Sequence, residues 1–171
     1  MNEDAGLRYS TFWRRFWAGI IDSIVFIPFL MLDSFMYSFE TLAVLLPWSL
    51  VSYSVWFVYS VWMHTRFGQT IGKMAMGVRV MDLSESRLPT LKQCLFRDSG
   101  YIIINVLAWV FEVYGLVRHA INPETLMPVV PGLILSAAHL VWLLLELGTM
   151  LSNDKRRALH DWIAGTVVVR C

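Results

Sequence analysis

Four long runs of apolar residues divide the chain, over 16–37, 42–63, 99–117 and 129–150. Each approaches the roughly 20 residues a helix needs to cross about 30 Å of hydrocarbon. The second is the clearest, because no charge falls between Thr41 and Met63; none falls between Thr125 and Leu145 either, although His139 lies inside that run. The first run carries Asp22, Asp33 and Pro28, and the third carries Asn105 and Glu112. The pattern predicts an all-α membrane protein of four transmembrane helices in a single domain, with polar segments over 64–98 and 151–171.

Within those two polar segments the period changes. Residues 68–82, GQTIGKMAMGVRVMD, offer a short helix-compatible stretch up to Gly77, then strand-like alternation through Val78, Arg79, Val80 and Met81. Residues 156–170, RRALHDWIAGTVVVR, repeat the design, with Gly165 followed by Thr166, Val167, Val168 and Val169. Glycine stops helices and β-branched residues favour extended backbone. Two short interfacial helices are therefore expected, each leading into a strand, and the strands are expected to pair as a two-stranded ribbon.

Charge gives the helices a direction. The segment before the first run holds Arg8, Arg14 and Arg15; the segment 64–98 holds six basic residues; the tail holds Lys155, Arg156, Arg157 and Arg170. Only Arg118, in the 118–128 loop, falls on the opposite side of a four-helix arrangement. Short loops rich in Lys and Arg stay cytoplasmic, so both ends are expected there, in an inner membrane. Residues 1–15 lack a small-residue cleavage site and read as a cytoplasmic segment before a retained helix. Trp13, Trp17, Tyr37, Trp62, Tyr101 and Trp142 are candidate interfacial anchors.

Composition agrees with lipid as the solvent: 57% of residues are hydrophobic and 16% charged, with a mean hydropathy of +0.56. The net charge of +1 and the lack of a basic stripe argue against nucleic acid as a partner. Cys94 and Cys171 have no metal-ligand or CxxC spacing, and on this topology both face a reducing compartment, so no disulfide is expected. No HExxH, GxSxG, CxxC or GxGxxG motif is present, which predicts no enzyme activity, no metal and no cofactor. Gly68-Gln-Thr70-Ile-Gly72-Lys73 is one residue too short between its glycines for a phosphate loop, and Met74 stands where a magnesium-binding hydroxyl is needed. Its expected uses are backbone packing and a surface lysine facing lipid headgroups.

Several of these motifs together resemble the RDD family of bacterial membrane proteins. The matching features are Arg15-Phe-Trp-Ala18-Gly-Ile-Ile-Asp22, the Gly68 to Lys73 motif with Val80 and Asp82 after it, Arg97, and His160-Asp161-Trp-Ile-Ala-Gly165-Thr166-Val-Val. The arginine and two aspartates that name the family would be Arg15, Asp22 and Asp161. Many members look like three-helix proteins, whereas this chain adds an outer loop and a fourth segment. The resemblance implies a membrane location and points to ion transport, notably sodium/proton exchange, which has been proposed for some members.

Arg15 and Asp22 are seven residues apart, two turns and about 10.5 Å along one helix face. Asp33 lies eleven further on, near the same face. A carboxylate at depth needs a partner, hydration or a proton. Asp22 is expected to pair with Arg15 or Arg97, or to serve an ion. Asp161 and His160 are expected to pack under the bundle near Asp22, either as a tether or as part of a cation gate, since oxygen ligands suit hard cations. Asp98, Asn105 and Glu112 repeat every seven residues, as do His139 and Glu146. Each set marks an inward face that could carry protons or ions, or join helices through hydrogen bonds. Glu112 and Glu146 lie near opposite membrane surfaces, where they could reach water. Two functions stay open: a component of cation, proton or small-solute transport, and a non-catalytic accessory subunit. Four helices are few for alternating access, so transport requires a homo-oligomer or a larger membrane complex.

Overall fold

The computed structural model describes residues 7–39, 41–122, 124 and 129–171. Residues 123 and 125–128 of the expected outer loop lie outside the described residues. In chain order the helices are α1 (Phe12–Val25), α2 (Ile27–Tyr37), α3 (Leu42–Phe67), α4 (Ile71–Ala75), α5 (Leu91–Ile121), α6 (Val129–Leu151) and α7 (Leu159–Ala164). Strand β1 (Val78–Asp82) follows α4, and β2 (Thr166–Arg170) follows α7.

The first apolar run is not the single helix expected over 16–37. It breaks at Phe26 into α1 and α2, which meet at 45°. Pro28 supplies the cause: it has no N–H to donate, its ring excludes the carbonyl of residue 24, and a proline is tolerated in the first turn of a new helix. The bend ends the charged stripe, so Asp33 does not continue the face of Arg15 and Asp22.

Helix α5 is longer than the expected 99–117. Thr90 and Gln93 form a reciprocal capping box, in which the Gln93 N–H donates to Thr90 Oγ1 at 3.3 Å and the Thr90 N–H to Gln93 Oε1 at 2.9 Å. The helix therefore starts two turns early, at Leu91, and its 31 residues span about 46 Å. Arg97 and Asp98 lie inside it. Helix α3 also runs a turn past Met63, to Phe67, and ends where Gly68 closes it with a bond to the His64 carbonyl at 2.9 Å.

Three helical stretches, Leu42–Phe67, Leu91–Ile121 and Gly132–Leu151, are long and apolar enough to cross a membrane. The bent α1–α2 pair passes the same test as a fourth if it counts as one span. Their apolar side chains point outward: Val58, Ile103 and Leu133 are all more than half exposed. Such surfaces are unstable in water and stable in lipid, while the helices satisfy their own backbone.

The expected ribbon forms. Strands β1 and β2 pair antiparallel from Val78 opposite Arg170 to Asp82 opposite Thr166. Gly77 and Gly165 end the preceding short helices with φ of 61° and 63°, a left-handed turn that glycine makes without strain. Val78, Val80 and Val168 are buried together against Met76. The sheet closes one end of the bundle, because Gln93 Nε2 donates to Asp82 Oδ2 and to the Gly165 carbonyl, and Arg14 donates to the Met76 carbonyl.

Candidate functional site

At the sheet end, Asp161 of α7 is fully buried between two arginines. Arg15 Nη1 of α1 lies 2.9 Å from its Oδ2, and Arg97 Nη1 of α5 lies 2.5 Å from its Oδ1. The Ala158 N–H and the Thr166 hydroxyl also donate to the carboxylate, at 3.1 and 3.2 Å. Burial disfavours its ionisation, but Arg15 and Arg97 outweigh burial and hold the carboxyl well below the usual range. One side chain thus joins α1, α5, α7 and β2. The tail expected to meet helix one does so through Arg15 and Asp161.

His160 extends this junction to α6. Its Nε2 lies 2.8 Å from Arg97 Nη2 and 3.1 Å from Arg15 Nη2, and guanidinium groups can only donate. Nε2 is therefore an acceptor, which assigns the ring proton to Nδ1, 2.6 Å from Glu146 Oε1. Burial and then the charge of Arg97 lower the His160 pKa, consistent with a neutral ring. Glu146 is itself buried and takes a second bond from Trp142 Nε1 at 2.6 Å, so it does not reach water as expected.

Asp22 pairs with neither Arg15 nor Arg97. Thr70 Oγ1 donates to its Oδ2 at 2.6 Å, while the Gly72 N–H and Tyr59 hydroxyl donate to Oδ1 at 2.8 Å each. Gly72 makes this approach by lacking a side chain: a Cβ there would stand 2.0 Å from the Ala18 carbonyl oxygen. The Gly68 to Lys73 motif is thus a carboxylate cradle that seats α4 on α1. The expected convergence of Arg15, Asp22 and Asp161 resolves into two separate fastenings, because Asp22 finds enough neutral donors to dispense with an arginine.

Lys73 does not face lipid headgroups. Helix α4 turns it inward, and its Nζ lies 2.5 Å from His64 Nε2, whose Nδ1 is 3.2 Å from Ser60 Oγ. Burial, then Arg97 and Arg15, bring the Lys73 pKa down to about 7. Between the two fastenings lies a cavity of about 510 Å³, walled by Arg15, Asp22, His64, Lys73, Asp98, Glu146 and His160 among others. Asp98 Oδ2 is buried there with no hydrogen-bond partner. Among the described residues no group of three His, Cys, Asp or Glu side chains is arranged to hold a metal.

The remaining candidates occupy the far half of the bundle. Tyr37 and Tyr53 both donate to Glu112, the latter at 2.6 Å, so Glu112 is held between helices. Asp33 accepts from Trp48 Nε1 at 2.9 Å. Asn105 and His139 were expected to bond across helices; they bond to the Tyr101 and Leu135 carbonyls of their own helices, at 2.8 and 3.0 Å. Both still line a cavity of about 690 Å³ with Asp33 and Glu112. Of the expected interfacial anchors, Trp13, Trp17 and Trp62 are half or more exposed. Tyr37 turns inward to Glu112, and Trp142 turns inward to Glu146 and packs over Gly100.

The sequence does not single out Tyr59 or His64, and it marks Thr166 only as a strand and motif residue and Trp142 only as an interfacial aromatic. Tyr59 completes a partner far away in the chain, Asp22, whereas Trp142 and Thr166 complete the nearby Glu146 and Asp161. His64 directly follows the uncharged run that ends at Met63 and shares the last turn of its helix with Arg66.

No curated protein and no solved structure matches the chain. The RDD family model matches residues 9–165, a stretch that contains both fastenings, the cavity between them and all four apolar runs, and the chain belongs to the RDD family.

Proposed function

We propose that this membrane protein crosses a bacterial inner membrane four times, with both termini in the cytoplasm, and forms part of a pathway for protons, small cations or another small solute. The bent α1–α2 pair is one span in this reading. The basic residues gathered around the sheet end support the orientation, since that end carries Arg8, Arg14, Arg79 and the basic tail. The role is non-enzymatic.

The carrying observation is the cavity of about 510 Å³ at the sheet end, which is walled by charged and titratable side chains from six helices. Asp22 and Asp161 are occupied in holding its walls, so the solute would meet the residues between them. Intramembrane ionisable groups facing a cavity mark solute or proton pathways. A bundle this small would work as a homo-oligomer or within a larger complex.

A second reading, a non-catalytic accessory or assembly subunit, is favoured by the complete hydrogen bonding of Asp22 and Asp161. Flux and co-purification separate the two. Reconstituted protein should dissipate an imposed gradient of protons, sodium or potassium faster than empty liposomes. If none of the three moves and a stoichiometric partner co-purifies, the accessory reading replaces transport.

A further inference from the structure

The cations of the inner cavity are not equivalent. Arg15 and Arg97 each share Asp161. Among the described residues, no carboxylate stands within ion-pair distance of Lys73, a half-buried side chain whose Nζ touches His64 at 2.5 Å. That contact survives a change of charge. An ammonium donates to His64 Nε2, and a neutral amine keeps both a donor and a lone pair to offer the ring.

Asp98 lines the same cavity as Lys73, and among the described residues it too lacks an ion-pair partner. Asp98 Oδ2 is buried without a partner, and Asp98 lines two spaces at once: the inner cavity and a neighbouring one of about 330 Å³ in the middle of the bundle. The middle cavity in turn shares Ser52, Tyr53 and Asn105 with the far cavity. Asp98 thus stands at the doorway between the sheet end and the membrane interior.

We propose that Lys73 is the proton-exchanging side chain of the inner cavity and that Asp98 is the group it exchanges with, so that a proton entering at the sheet end is handed to the middle of the bundle. In the step, an N–H bond of the Lys73 ammonium breaks, the nitrogen keeps the electron pair, and the proton joins Asp98 Oδ2 directly or through cavity water. A charged pair becomes a neutral amine and a neutral acid, which costs least where burial penalises charge. The groups around Lys73 set the balance. Burial, then Arg97 and Arg15, disfavours its proton, Asp98 and Asp161 retain it, and together they bring the midpoint down to about 7. Asp22 is engaged by the Thr70 to Gly72 cradle, and Glu146 by His160 and Trp142, so neither answers the ammonium.

This proposal rests on reading the cavity as a proton site, yet its test does not depend on flux. The chain has three lysines, Lys73, Lys92 and Lys155. Protein carrying carbon-13 at the lysine side chains, held in lipid nanodiscs, should show one signal with a midpoint near 7, far below the usual lysine value of about 10.4, while the hydrogen bond to Glu85 raises that of Lys155. The low one should persist when the exposed Lys92 and Lys155 are both changed to Arg, which leaves the cavity untouched. Asp98→Asn should move that midpoint further down, because it removes a charge that retains the proton. The proposal is overturned if all three lysines titrate above about 9.5, or if Asp98→Asn leaves the Lys73 midpoint in place. A low Lys73 midpoint in protein whose liposomes pass no proton would retain the site and reject transport. Flux with an ordinary Lys73 would do the reverse.

Discussion

At the scale of single residues, the two family aspartates solve one physical problem in different ways. A buried carboxylate must be compensated, and Asp161 uses two guanidinium groups where Asp22 uses a hydroxyl pair and a backbone N–H. Removing the charge of Asp161 strands Arg15 and Arg97, so Asp161→Asn should cost about 3–5 kcal/mol, read as a large fall in melting temperature in detergent. Asp22→Asn swaps an acceptor for a donor opposite three donors and should also destabilise, by a smaller amount. His160 adds a pH dependence. Its folded pKa is depressed, so an unfolded chain binds the extra proton first, and stability present above about pH 6.5 should fall as the solution is acidified. His160→Gln should flatten that part of the melting profile; an unchanged slope between pH 7 and 5 would show that His160 is not held neutral.

At the scale of elements, the short helices α4 and α7 are too brief to be stable alone, and each is fastened by a carboxylate. Helix α4 is seated on α1 through Asp22 and the gap left by Gly72. Gly72→Ala should push its Cβ against the Ala18 carbonyl and part the two helices, at about 1–3 kcal/mol or more, with faster amide exchange at residues 71–75 as the local signature. The elements themselves were legible in the sequence. Uninterrupted apolar runs set the long helices, and Gly77 and Gly165 before β-branched residues set the strands. What was not legible had local causes with non-local consequences. Pro28 was visible, but a proline in lipid can either kink a helix or sit in it quietly, and packing decides. The early start of α5 was written in Thr90 and Gln93, polar residues that hydropathy counting passes over. Within the site, Arg15, Asp161 and the Gly68 to Lys73 motif were visible as a set, while the pairing of Asp22 was not, because Tyr59 and Thr70 are neutral and distant in sequence.

At the scale of the molecule, structural and chemical duties separate. Asp161 and Asp22 fasten the sheet end shut, and behind them lies a chamber lined by Lys73 and Asp98, neither of which has an ion-pair partner among the described residues. That chamber, the middle one and the far one share walls along the α5 face carrying Asp98, Asn105 and Glu112, the same seven-residue repeat visible in the sequence. The apolar exterior suits lipid, and the proposed orientation rests on the basic residues of the sheet end. Variants should sort by duty: those at fastening residues change melting temperature, and those at chamber residues change transport at unchanged melting temperature. The most direct measurement is the collapse of an imposed pH gradient, followed by an enclosed dye, in liposomes carrying wild type or Asp98→Asn. Wild type should collapse the gradient faster than protein-free liposomes, and Asp98→Asn, which breaks no hydrogen bond, should melt like wild type and lose that acceleration. Wild-type liposomes as tight as empty ones, or an Asp98→Asn protein as fast as wild type, would contradict this division of duties.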